Sequence, residues 1–196
     1  MKRAAWYAAL YVNPMNARKE IEQELARVME KLADSAKMEL AEQGHRATGK
    51  GIKSIEPKVT AEGLDKLVGT ILANDYLIPV DTGVKAARIP YSPGSGARTS
   101  KYIQGLIRWV GIIKPSLSTK ERKGMAFAVA AKHKREGMPT RGSYSFSSNG
   151  RRTGWVKHGI EDNVERLVEM SGILQALERI FDAAVREAQT NVNNAA

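Results

Sequence analysis

The chain has 196 residues, of which 42% are hydrophobic and 27% are charged, and its formal net charge is +10. This composition is typical of a folded domain of ordinary size, and the absence of Cys excludes disulfides and thiolate metal sites. No apolar run reaches the ~18 residues that a membrane-spanning helix needs, so we expect a soluble protein without a membrane partner.

The positive charge is concentrated in the middle of the chain. Residues 84–158 hold sixteen Lys and Arg against two Glu, a balance of +14, whereas the rest holds fifteen bases against nineteen acids, a balance of −4. A field of one sign predicts a polyanionic or acidic neighbour, although a solvated basic surface is the alternative. The bases that we select as candidates for facing DNA or a protein partner are Arg98, Lys101, Arg108, Lys132, Lys134, Arg135, Arg141, Arg151 and Arg152.

The N-terminal part of the chain predicts an apolar arm followed by a long helix. Residues 1–15 resemble a short signal peptide but lack a clear cleavage site, so we interpret them as an arm or a short helix. From about Asn16 to Glu42, apolar residues recur every three or four positions, which is typical of an amphipathic helix. Gly44 follows, where a glycine commonly ends a helix.

The stretch GHRATGKGIKSI, residues 44–55, has the spacing of a nucleotide-binding P-loop. That motif requires Ser or Thr after its Lys to hold Mg²⁺, but here Gly51 follows Lys50. It also requires a strand before the loop and a helix after it, and this sequence has the reverse order. We therefore exclude a P-loop and expect Thr48 and Gly49 to turn the chain, with the Thr48 hydroxyl bonding to a nearby backbone group.

A β-hairpin is predicted next. Residues 51–60 and 65–73 are rich in alternating and β-branched side chains, and Glu62-Gly63 between them supplies a turn. Pro57 lacks a backbone N–H, which places the first strand at a sheet edge or a bulge.

Residues 84–154 predict a basic insertion with two flexible loops. The segments 83–100 and 137–154 are rich in Gly, Ser and Arg and have few apolar anchors. We expect both to be mobile in an isolated monomer and to become ordered against partner surfaces.

Helices are predicted inside this insertion and again after it. Residues 101–113 keep an apolar face, and Ser118 with Glu121 forms a capping-box pattern ahead of a helix over 123–136. Residues 164–185 resume the helical period, and we expect 191–196 to be disordered. The whole predicts an α+β fold, a small antiparallel sheet packed by long N- and C-terminal helices, in a single domain over 16–190.

No catalytic, cofactor-binding or metal-binding group emerges from the sequence. The three His residues lie far apart without a second ligand at metal spacing, and Ser95 lacks the strand and helix of a nucleophile elbow. Trp109 and Trp155 are each followed by Val, so we interpret them as core or interface residues and not as stacking platforms. We therefore expect neither an enzyme nor a cofactor or metal.

Several short motifs, in their order along the chain, resemble those of one family. A Thr-Gly precedes the first strand, a Tyr and then an acid-x-Gly follow the second, and GWVKHGI leads into the terminal helix. Over residues 17–190 this arrangement resembles the neck and tail-completion (head–tail connector) proteins of tailed bacteriophages, the HK97 gp10-like group. The chain departs from that family in having Asp where Glu is usual and in its longer insertion. The matching positions are Thr48, Gly49, Tyr76, Asp81, Gly83 and Trp155.

The resemblance implies a structural virion protein, assembled in the host cytoplasm, that forms a ring in the phage neck or tail junction. It implies head–tail joining, tail completion and genome passage through a ring of six or twelve copies. The implied partners are other copies, adjoining connector, tail-terminator or tube proteins, and genomic DNA in the lumen. The alternative is a free nucleic-acid-binding protein that uses the basic section 84–158.

Overall fold

A computed structural model describes residues 14–62, 66–94 and 100–195 and confirms the α+β fold. Within these ranges no helix is long and apolar enough to cross a bilayer. Two short 3₁₀ helices, Ala86–Arg88 and Arg141–Phe146, and a π-helical turn at Lys157–Glu161 complete the architecture. The α-helices and strands are α1 (Pro14–Glu42), α2 (Lys50–Lys53), β1 (Glu56–Glu62), β2 (Lys66–Leu72), α3 (Leu77–Thr82), α4 (Lys101–Ile113), α5 (Thr119–Glu136), α6 (Asp162–Glu169) and α7 (Ile173–Ala195).

The chain divides into two compact units, where the sequence predicted one domain over 16–190. The terminal unit consists of Met1–Asp34, Glu56–Leu72 and Glu161–Ala196, and the basic unit consists of Ser35–Ile55 and Ala73–Ile160. The helix α1 contributes its N-terminal part to the first unit and its C-terminal part to the second. The boundary could not be predicted from the sequence, because the helical period of α1 continues through it without a break and the helix contributes to both units.

In the terminal unit, α1 supplies most of the core. Its buried side chains Val28, Met29 and Leu32 recur at helical spacing, and Leu167 of α6 and Ala176 of α7 are buried in the same unit. The predicted helix over 16–42 is confirmed, and it begins two residues earlier, at Pro14. Proline suits the first turn of a helix because its missing N–H would have no partner there.

The hairpin is confirmed in the terminal unit, but its first strand is shorter than predicted. The strands β1 and β2 pair antiparallel from Glu56 opposite Leu72 to Glu62 opposite Lys66. Residues 51–53, predicted as the start of the strand, belong instead to the short helix α2. The predicted turn at Glu62-Gly63 extends into residues 63–65, which lie outside the described ranges. Gly69 leaves room for α1, since a Cβ there would lie 2.5 Å from Met29 Sδ.

Residues 191–195, expected to be disordered together with residue 196, are helical. Helix α7 continues to Ala195. The Thr190 hydroxyl donates a 2.9 Å hydrogen bond to the Arg186 carbonyl, which satisfies a polar group that could otherwise compete with the helix. Ala196 lies outside the described residues, as do residues 1–13 of the predicted apolar arm.

In the basic unit, α4 and α5 form a helical hairpin. The buried residues are Ile103 and Val110 on α4 and Ala126 and Ala130 on α5, so small side chains on one helix meet branched ones in the same core. The predicted capping box at α5 is confirmed, with Glu121 Oε2 accepting a 2.8 Å hydrogen bond from the Ser118 backbone N–H. The helix begins at Thr119, directly after that cap, and so before the predicted residue 123.

Candidate assembly surface

The segment 147–152 is tied to the end of α1 by a buried carboxylate. Glu39 accepts hydrogen bonds of 2.9 Å from both Nε and Nη2 of Arg151, 2.8 Å from Gln43 Nε2 and 3.1 Å from Asn149 Nδ2. These bonds, that of Arg151 above all, hold the pKa of Glu39 below its ordinary value. Four donors around one buried carboxylate satisfy the charge that burial would otherwise penalise.

A second set of contacts continues this attachment at the C-terminus of α1. Arg152 Nη1 donates to the Gln43 carbonyl, and the Arg152 carbonyl lies 3.1 Å from His45 Nε2. The Ser148 backbone N–H donates a 2.8 Å bond to the Glu42 carbonyl. Burial, and then the charge of Arg152, lowers the pKa of His45. The segment 137–154 was expected to be mobile in a monomer. Instead, the C-terminal end of the chain's own α1 anchors part of it.

The family-motif positions after the hairpin meet near the start of the π-helical turn. Trp155 is 5% exposed, and its indole N–H donates a 3.3 Å bond to the Leu77 carbonyl. The Val156 backbone N–H donates a 2.9 Å bond to Asp81 Oδ1. Gly83 is close by, since a Cβ there would lie 3.6 Å from Thr153 Cγ2. Asp81, Gly83 and Trp155 therefore hold the basic unit together.

The other motif positions shape a loop. The Thr48 hydroxyl accepts a 3.3 Å bond from the Lys50 backbone N–H, and Gly49 has φ 67°, so the predicted turning role of both residues is confirmed. Tyr76 lies against the short helix α2 that follows this loop, since a Cβ at Gly51 would be 2.5 Å from its hydroxyl. The Lys50 side chain is exposed.

Two cavities in the basic unit, of about 510 and 770 Å³, lie side by side and share part of their lining. They share an apolar wall that includes Val80, Trp109 and Phe146. Trp109 is 38% exposed and Phe146 is 73% exposed. Of the two roles predicted for Trp109, core or interface, its exposure excludes the core. We call these two cavities together the basic groove, because the charged side chains that line it in the described structure are all basic. They are Lys50, Lys114, Lys132 and Arg152.

A hydrogen-bonded pair forms part of this groove on the α4–α5 side. The Tyr102 hydroxyl lies 2.6 Å from Nδ1 of His133, which lines the smaller cavity. Burial raises the pKa of Tyr102 to about 12 and lowers that of His133. The pair is therefore neutral near pH 7, and a hydroxyl that donates to an unprotonated Nδ1 suits both shifts.

The nine selected bases do not share one environment. Arg151 and Arg152 bind the end of α1, and Lys134 Nζ donates a 3.2 Å bond to the Ile89 carbonyl. Lys132 is half-buried and lines the groove. Arg98 lies outside the described residues. The exposed bases are Lys101 and Arg108 on α4, Arg135 at the end of α5 and Arg141 in the following 3₁₀ helix.

The terminal unit exposes an apolar face that sequence reasoning did not single out. On α7, Leu174, Leu177, Phe181 and Val185 succeed one another at three or four residues and are all exposed, Phe181 by 70%. Periodicity located the helix but could not show which apolar side stays uncovered. For a related reason Phe146 was missed and Trp109 was interpreted only as a core or interface residue, since only the fold brings these two residues to one wall.

Neither a metal site among the described residues nor a known relative was found. Across the described residues, no three His, Asp or Glu side chains come together as a metal ion would require. No family model, curated protein or solved structure matches the chain.

Proposed function

We propose that the chain is a structural subunit of a ring in the neck or tail junction of a tailed bacteriophage, and not an enzyme. The observation that carries this proposal is the amount of large apolar surface left open on both units. Phe181, Met170, Ile78 and Phe146 are each more than 60% exposed. On α7 such exposed side chains form a stripe from Leu174 to Val185, and contiguous apolar surface is characteristic of proteins that are completed by neighbours.

The resemblance to neck and tail-completion proteins gives this assembly its place. In the ring, other copies and adjoining connector, tail-terminator or tube proteins cover the apolar surfaces. The exposed bases of α4 and α5 then lie on a face available to the passing genome or to an acidic neighbour. Sliding DNA requires weak, long-range contacts, which flexible exposed Lys and Arg side chains provide better than stacked aromatic rings.

The proposal is tested with the purified full chain and with particles. Mass photometry and negative-stain imaging of the chain should show closed rings, and an antibody against it should label one end of the tail in intact particles. A chain that stays monomeric at its highest soluble concentration and is absent from particles contradicts the proposal.

A free nucleic-acid-binding protein is the second candidate, favoured by the charge of the basic unit. That unit contains twenty Lys and Arg against six Asp and Glu, a balance of +14. This candidate predicts tight binding of duplex DNA by the monomer, with a log–log salt slope of about −0.9 for each phosphate neutralised. Fluorescence anisotropy at several salt concentrations separates the two, because the ring subunit should bind DNA weakly before it assembles.

A further inference from the structure

Helix α7 has two apolar faces, of which the terminal unit covers one. Ile173, Ala176 and Ile180 are buried or half-buried and share the covered face. The free face begins at Leu174 and ends at Val185, an apolar stripe about 16 Å long at 1.5 Å per residue. Surface helices normally present polar side chains away from their own core, so a second apolar face indicates a partner.

Acidic side chains border this free face. Glu178 and Asp182 lie four residues apart on α7, each directly after an apolar residue of the face, and both are exposed. The terminal unit as a whole has eleven Lys and Arg against fifteen Asp and Glu, a balance of −4. The partner that fits α7 therefore offers apolar side chains with positive charge beside them.

The basic groove has these properties. Its wall contains Trp109, Ile113 and Phe146, which are exposed, and its described charged lining residues are basic throughout. A groove of this kind accepts an amphipathic helix whose anchors are spaced by three and four residues. The acids that border the α7 face would meet Lys50 and Lys114, both exposed at the groove.

We infer that α7 of one copy docks in the basic groove of the next copy. This inference rests on the proposed ring function and names the contact that builds the ring. Two different surfaces take part, so the contact is head-to-tail, and such contacts close into rings when the rotation between copies allows. Pairing of two α7 faces is the competing arrangement, but it places acidic borders together without supplying bases from the groove.

Two matched substitutions test the docking. Phe181→Asp places a carboxylate on the free face of α7, and Phe146→Asp places one on the wall of the groove; both side chains are largely exposed, so both variants should fold. Each variant alone should lose self-association at least about tenfold, since a buried aromatic anchor dominates such contacts. An equimolar mixture should form a dimer of the two variants and nothing larger, because one intact α7 and one intact groove remain.

The matched control is Gln175→Asp, which adds a carboxylate at an exposed position of α7 outside the apolar stripe. It should assemble like the original chain. Circular dichroism and thermal unfolding of every variant establish that the fold is retained.

A charge exchange provides an independent arm. The double variant Glu178→Lys and Asp182→Lys should self-associate more weakly, as should Lys50→Glu with Lys114→Glu. Mixing the two should restore pairing between the reversed face and the reversed groove. Pairing is restored only if the two sets of charges meet in the contact. Variants that were merely less stable would not regain pairing when mixed.

Three outcomes overturn the docking. If Phe146→Asp self-associates on its own, α7 pairs with another α7. If the mixture of the two variants stays monomeric, α7 does not dock in the groove. If both variants still form rings, the interface lies elsewhere. The last outcome leaves the proposed ring function standing. An original chain that never assembles and is missing from particles contradicts the ring function itself.

Discussion

The two units of the chain are stabilised in different ways. In the terminal unit, the buried apolar residues lie at helical spacing on long helices, and its contacts between distant residues include the exposed ion pair of Glu20 with Arg179. In the basic unit, a buried carboxylate, Glu39, collects donors from residues more than one hundred positions away. Apolar packing therefore organises the terminal unit, whereas the basic unit combines an apolar core with a polar network around Glu39.

The backbone shows the same contrast. In the described residues, every glycine with positive φ belongs to the basic unit, and each one lies at a helix end or in a loop. Such glycines allow tight turns without side-chain strain, which a unit built from short elements needs. They are Gly44, Gly49, Gly83, Gly94, Gly137, Gly150 and Gly154.

The largest difference is expected for aromatic truncations. Trp155→Ala should destabilise the basic unit by about 4 kcal/mol, because it empties a buried site and removes the bond to the Leu77 carbonyl. Phe181→Ala in the terminal unit should change stability by less than about 0.5 kcal/mol, because that ring is 70% exposed in the single chain. Hydrogen exchange with mass spectrometry on peptides of each unit measures both, and equal effects would contradict the comparison.

Ion-pair deletions should follow the same order at a smaller scale. Arg151→Ala leaves the buried Glu39 carboxylate without its principal partner and should cost about 2 kcal/mol. Arg179→Ala removes an exposed partner of Glu20 and should cost less than about 1 kcal/mol. Arg151→Lys keeps the charge without the two-pronged geometry and should be intermediate. Denaturant unfolding of the three variants gives the ranking of their free energies of unfolding. If Arg151→Ala is as stable as the original chain, the network around Glu39 does not stabilise the basic unit.

Acid should loosen the basic unit before the terminal unit. The pKa values of His45 and His133 are lowered, so the unfolded chain takes up their protons first and stability declines as the pH falls below about 6.5. The pKa of Glu39 is also lowered, so its contribution is complete above about pH 4.5 and is lost as the pH falls through the folded-state value. Hydrogen exchange from pH 7 to 3 measures both steps, and Glu39→Gln should reduce the second.

The sequence predicted the elements that depend on local rules. The period of α1, the capping box at Ser118 and the turn at Gly49 are each determined by residues within a few positions of one another. The prediction was wrong where a local preference was overridden, as in the short helix α2, which occupies residues expected to begin a strand. Helix α7 likewise continues through residues expected to be disordered.

Most of the candidate surface could not be predicted from local sequence patterns. Arg151 and Arg152 were selected as partner-facing bases, but their positions are determined by Glu39 and Gln43, which precede them by about 110 residues. No periodicity links such residues, so their pairing could not be read from spacing. The same holds for the basic groove, whose wall combines residues of α4 with Phe146 from a segment expected to be mobile.

Two glycine substitutions in the basic unit are expected to have small effects of opposite sign. A Cβ at Gly49 would have no heavy atom within 4 Å, so Gly49→Ala tests backbone conformation alone. With φ at 67°, Ala should cost about 1 kcal/mol, and Asn should cost less because it adopts this conformation more readily.

Gly124 is the matched control, since a Cβ there also has no neighbour within 4 Å, but it lies inside α5. Gly124→Ala should stabilise the protein by about 0.5–1 kcal/mol, because alanine loses less backbone freedom when a helix forms. The two substitutions add the same methyl group to open space, so crowding cannot account for opposite signs. If thermal unfolding shows both to be stabilising, the left-handed turn at Gly49 is not a requirement of the fold, and the contrast between the units rests on the polar network alone.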